Sequence, residues 1–143
     1  MAQIMPDEGL DIVLGQFPFN TAKYTSPLNC GLFKSQTNTT VITHAQTLSS
    51  ITATTYTSYA VQTLAAATWG AAAERPTNLG RQQTYPQLTF PTCGATGDTI
   101  NGAYIMDNAS AKAIGQNNFD DGLAVVLALN DVLKYTPTIA YLH

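Results

Sequence analysis

The residues that could do chemistry in this chain are few, and the first pair is Asp120-Asp121 in the run NNFDDGLAVVL. Adjacent carboxylates can serve as a general acid and base, or as hard oxygen ligands for a divalent cation. Either use needs a second acid, a base or a nucleophile held nearby, and the neighbouring stretch LNDVL offers only Asn130-Asp131. Turn chemistry accounts for both pairs. Asp121-Gly122 between two apolar runs suits the centre of a tight hairpin, where both residues take positive φ. Asn130-Asp131 can hydrogen-bond their own backbone and reverse the chain. The sequence predicts a turn at each, with Asp120 at a strand end facing solvent.

The other candidates fall in the same way. Cys30 in LNCGLF and Cys93 in FPTCGA are far apart, neither belongs to a C-x-x-C pair, and the histidines are His44 and His143. That set is too small for a zinc site, and two buried free thiols are expected instead. CGATGDTI is glycine-rich but lacks the G-x-x-x-x-G-K-[ST] pattern and leads into a strand, so Gly94 and Gly97 read as hairpin glycines. His44 in VITHAQT reads as a polar surface residue. There is no G-x-S-x-G elbow, and the serines have no evident base. No catalytic residue, cofactor or metal is assigned, and the chain reads as a non-enzyme.

Composition narrows the function further. The chain has 143 residues, enough for one domain with a real core. Charged residues make up 10% of it, against about 25% in an average soluble protein, and the net charge is −3. Ordinary apolar content argues against disorder. Thr, Ala, Asn and Gln take the place of charge, which suits a surface packed against copies of itself or a partner. The six basic residues (Lys23, Lys34, Arg75, Arg81, Lys112, Lys134) are scattered singly, so no nucleic-acid stripe exists. No apolar run approaches the ~20 residues of a membrane span. The N-terminus has no early Lys or Arg, so it does not read as a signal peptide, and synthesis in a cytoplasm is expected.

These residues must be positioned by mostly β elements. Residues 1–20 read as an arm with a short helix: Pro6 opens it, Asp7 and Glu8 suit its N-terminal dipole, and Leu10, Val13, Leu14 and Phe17 recur at helical spacing. Gly15 and Pro18 end it. Residues 21–143 read as a single antiparallel β-sandwich or jelly-roll-like domain, with a possible helical turn at AQTLSSI. The expected strands are PLNCGLFKS, YTSYAVQTLAAATWG, QLTFPT, DTINGAYIMDN, KAIGQNNF, LAVVLAL and VLKYTPTIAYLH. In the second, Tyr59, Val61, Thr63 and Ala65 would share a face; LAVVLAL would be buried on both faces. Gly102 marks a bulge or a close backbone approach. GAAAERPTNLGRQQTYP reads as a long loop of functional or partner-ordered kind. Of Tyr24, Tyr56, Tyr59, Trp69 and Tyr85, the core claims Tyr59 and Trp69, and the rest divide between core and contact.

Four stretches taken in order carry a resemblance: LNCGLFKSQT, YTSYAVQTL…TWGAA, LTFPT…INGAYIMDN and NFDDGLAVVLALNDVLKYTPTIAYLH. The chain resembles small virion proteins of tailed bacteriophages. Members of that group open with a short helix before a GLF strand, continue with a GYA-like strand and an LTF…G pair, and close on a D-V-L…T-P strand. This chain departs from the pattern with SYA in place of GYA, a change expected to alter a local bulge. The resemblance covers nearly the whole chain, carries no catalytic residues, and leaves head, tail and fibre locations open. It implies a β-sandwich structural protein of the capsid decoration (cement) type, made in the host cytoplasm and carried on the capsid surface. Such a protein sits as a homotrimer on the outer lattice, with the major capsid protein and copies of itself as partners, and with no nucleic acid or membrane. The contact residues expected are Ile4, Met5, Phe17, Phe19 and Tyr24 in the arm, and Trp69, Arg75, Arg81 and Tyr85 in or beside the loop around residues 70–87. A tail, baseplate or fibre-associated protein, or a surface carbohydrate-binding module, is the alternative.

Overall fold

The structure is a computed structural model that describes residues 27–36, 47–74, 81–109, 111–119 and 124–141. In chain order the strands are β1 (Leu28–Gln36), β2 (Ile51–Ala53), β3 (Gln62–Leu64), β4 (Ala73–Glu74), β5 (Arg81–Thr84) and β6 (Leu88–Thr89). They continue as β7 (Asp98–Ile100), β8 (Gly102–Asp107), β9 (Ala113–Asn118), β10 (Val125–Leu127), β11 (Lys134–Tyr135) and β12 (Thr138–Tyr141). Every strand pairing is antiparallel. The expectation of a mainly β, antiparallel fold holds. The expected helix in residues 1–20 lies outside the described residues; the turn expected at AQTLSSI is present as a 3-10 turn, Leu48–Ser50.

β1 is the spine of the largest sheet. β8 pairs along one side of it from Leu28↔Asp107 to Phe33↔Gly102, and β9 extends the sheet beyond β8. The other side of β1 is shared: β3 takes Leu28–Cys30 and β2 takes Phe33–Gln36. A single residue, Asn101, separates β7 from β8 and moves the chain from the β10–β7 pair into this sheet. Its N–H donates to the Phe33 carbonyl at 2.8 Å, its own carbonyl accepts from Phe119 N–H at 3.0 Å, and its side-chain amide donates to the Lys34 carbonyl. Gly102 follows because a Cβ there would overlap the Asn117 carbonyl oxygen and lie 2.7 Å from the Phe33 ring. The close approach expected at Gly102 is therefore present.

Prolines cut the second long ribbon. Residues 81–93 run antiparallel to residues 130–141 through β5–β12, then a Tyr85 N–H to Pro137 carbonyl bond of 2.8 Å, then β6–β11. Phe90 N–H to the Leu133 carbonyl (2.9 Å) and Cys93 N–H to the Asp131 carbonyl (2.8 Å) extend it. Pro86, Pro91 and Pro137 have no N–H to contribute, so one ribbon becomes two short sheets. One core joins these pieces: Cys30, Leu32, Leu64, Phe90, Ile100, Ile105 and Leu127 are all buried in it, with Tyr56, Tyr85 and Cys93.

Several expectations need correction. The long loop expected over residues 70–86 contains β4 and β5, which pair with each other, and β5 pairs with β12 as well. Its glutamines and threonine lie on an edge sheet that buries little, so no apolar alternation announces it. Of the strand expected over residues 56–70, only Gln62–Leu64 forms; Leu64 is buried, whereas Val61, Thr63 and Ala65 are exposed. Gly94 and Gly97 are not hairpin glycines, since they lie between β6 and β7 of different sheets; a Cβ on Gly97 would strike the Leu127 carbonyl oxygen. Asp120 and Asp121 lie outside the described residues. Of the described strands on either side of them, β9 pairs with β8 and β10 pairs with β7.

Candidate interaction surface

The most concentrated polar chemistry among the described side chains is at Asp98, where β7 begins. Its Oδ2 accepts from Thr54 Oγ1 and Thr55 N–H at 2.9 Å each, its Oδ1 from Thr99 N–H at 2.9 Å, and Lys34 Nζ stands 3.6 Å away. Burial alone would raise this carboxyl. The hydrogen bonds from Thr55, Thr54 and Thr99, with the Lys34 charge, outweigh it and hold the group below its usual range. A carboxylate so fully engaged is a poor base. It ties β1, the segment after β2, and β7 together, and this is structural work. Gln116 is another buried polar group: it is wholly buried in β9, and neither amide atom has a hydrogen-bond partner. Both cysteines are free and buried, as expected. Among the described residues no group of three His, Cys, Asp or Glu could hold a metal ion.

The expected contact residues divide sharply. Ile4, Met5, Phe17, Phe19, Tyr24 and Arg75 lie outside the described residues. Arg81 opens β5, in register with Tyr141 on one side and Glu74 on the other. Trp69 and Tyr85 are brought together, with ring centroids 5.3 Å apart at 69°. Tyr85 is buried, and its hydroxyl accepts from Ala65 N–H at 3.2 Å. Its ring and hydroxyl are thus used inside the chain. Trp69 is half-buried against the same core, and Tyr59 and Tyr56 join it edge-on, 5.3 Å apart.

The surface that does stand out was read from sequence as core. LAVVLAL was expected to be buried on both faces, yet among its described residues, 124–129, only Leu127 is. Val126 is 71% exposed, Leu129 61%, Val132 44% and Val125 38%. The reason is topological: among the described residues β10 has one strand neighbour, β7. The turn that follows is firmly held. Asn130 takes φ 72°, Asp131 N–H donates to the Ala128 carbonyl at 3.1 Å, and Asp131 Oδ2 accepts from Ala128 N–H at 2.8 Å. Asn130 N–H also donates to the Cys93 carbonyl at 2.9 Å. The turn expected at Asn130-Asp131 is present, and it presents Leu129 and Val132 to solvent on a fixed backbone. The Asn-Asp pair interrupting an apolar run was the signal in the sequence, because a turn at the end of a strand lies at the surface.

No protein-family model matches the chain, and no curated protein matches it.

Proposed function

We propose that this chain is a virion structural protein, a capsid decoration protein built as a β-sandwich that binds the outer shell and stabilises contacts between capsomers. The observation that carries the reading is a rigid, solvent-facing aliphatic surface on a chain only 10% charged. Exposed Val and Leu held on a pinned turn associate with little loss of conformational freedom, and a charge-poor surface tolerates close neighbours. Repetition over a symmetric shell adds avidity without a strong single contact. Binding to the assembled shell alone then stabilises it by mass action. The major capsid protein and copies of this chain, grouped as trimers, are the partners in this reading. A sugar-binding role loses support, because Tyr56 and Tyr85 are buried and Tyr59 and Trp69 pack on the core.

The test is the copy number of the chain relative to the major capsid protein, by quantitative mass spectrometry of purified particles. A ratio near unity is expected. A few copies per particle, in multiples of three or six, would move the chain to the tail and overturn the decoration role.

A further inference from the structure

We infer that the face formed by β10 and the turn after it is where one copy of this chain meets a second. The four aliphatic residues 125, 126, 129 and 132 leave roughly 350 Å² in water, the size of the largest apolar patch on an ordinary monomer, which is often functional. Ordinary interfaces are about 57% non-polar, so an area of that size corresponds to a footprint of roughly 600 Å². A standard interface takes about 800 Å² from each partner. The patch therefore supplies most of one side of a weak contact.

Three features select a second copy as the occupant. First, the edge of β10 away from β7 pairs with no strand among the described residues, and an unpaired edge is a template for another strand. Residues 124–130 (AVVLALN) hold no Lys, Glu or Pro, the residues that ordinarily block such pairing. Second, an antiparallel meeting about a two-fold axis at Val126 sets each copy's Val126 beside the other's, and its Val125 beside the other's Leu127. The strand is complementary to itself, as a two-fold contact requires. Third, charge within the patch is sparse: Asp131 is the one charged residue in the stretch 124–133, and its Oδ2 accepts from Ala128 N–H in its own turn. A net charge of −3 on 143 residues opposes self-association only weakly. A two-fold contact joins pairs, so in a lattice it would link neighbouring trimers and leave the three-fold contact to other surfaces. The inference rests on the many-copy reading above for its setting, but the two fail separately.

The experiment is sedimentation velocity of the full chain from about ten to several hundred micromolar, the range in which a contact of micromolar-to-millimolar Kd is visible. Wild type should gain mass with concentration. Val126→Glu and Leu129→Glu should each weaken association about tenfold or more and leave the thermal midpoint unchanged, since both side chains are exposed. Val126→Cys should form disulfide-linked dimers under mild oxidation, while Ala109→Cys, exposed in the β8–β9 connection, should not; Cys30 and Cys93 are buried and stay silent. A chain that stays monomeric throughout, or association unchanged by Val126→Glu, would overturn the inference. So would a monomer whose binding to particles is lost in Val126→Glu, which would give the patch to the shell protein. Self-association through Val126 in a chain found at few copies per particle would support the inference and sink the decoration role instead.

Discussion

Ser58 sits at φ 78°, in the left-handed region where a Cβ crowds the backbone. The cause is the tight turn from Tyr56 to Tyr59, closed by Tyr59 N–H donating to the Tyr56 carbonyl at 3.0 Å, which brings both rings into the core. The turn holds the serine in this strained conformation. Ser58→Gly is expected to stabilise the protein by about 0.5–1 kcal/mol, the relief of the left-handed cost less the greater unfolded-state freedom of glycine. The check is a higher urea midpoint at unchanged m-value. Asn130, at φ 72°, is already the kind of residue that tolerates this region, and there sequence and backbone agree. The sequence disclosed that turn because Asn and Asp act through their own local backbone. It disclosed neither Ser58, whose strain is imposed by two tyrosines packing elsewhere, nor Val126, whose exposure depends on which strands β10 lacks.

At the scale of elements, the weak point of the main sheet is the side of β1 between its two short partners. β3 ends its pairing at Cys30 and β2 begins at Phe33, so residues 31 and 32 have no strand beside them there. The Leu32 carbonyl accepts from Thr54 N–H at 3.1 Å, and the Leu32 N–H donates to the Tyr59 hydroxyl at 2.8 Å. A side chain thus completes the ladder. Tyr59→Phe keeps the ring on Tyr56 and Phe90 but leaves a buried N–H unpaired, at an expected cost of about 1–3 kcal/mol. Chemical denaturation measures it, together with faster amide exchange at Leu32; a cost below about 0.5 kcal/mol would mean that water reaches this N–H. Periodicity placed Tyr59 on a strand face with Val61, Thr63 and Ala65 because it assumes a continuous strand, and the positive φ at Ser58 breaks that assumption. The ribbon of residues 81–93 with 130–141 was half legible. Pro86, Pro91 and Pro137 mark its interruptions in the sequence, but its pairing spans some fifty residues and leaves no local trace.

For the whole molecule, charge-poor composition and a core that buries ionisable groups in their neutral forms set an asymmetric dependence of stability on pH. On the acid side, the folded Asp98 carboxyl lies below its unfolded value near 3.9. Its contribution is present above about pH 4 and is lost as pH falls through the folded value. The alkaline arm has another cause. Burial pushes the Cys30 thiol and the Tyr135 phenol up to about 12 each, and it raises Tyr104 and Tyr59 as well. Between the unfolded and folded values the native state keeps a proton that the unfolded chain has lost, so stability falls as pH rises. For Cys30 that window opens near pH 8.5, and for the tyrosines near pH 10. Urea midpoints measured from pH 3 to 11 should hold a plateau between about pH 5 and 8 and then decline with increasing slope. Cys30→Ala separates the causes: it lowers the plateau by leaving a cavity, yet it should remove the decline between pH 8.5 and 10, which for one fully buried thiol is about 1.4 kcal/mol per pH unit. An unchanged slope in that variant would mean that the thiol ionises in the native state, and that the packing around β1 opens more readily than its burial implies.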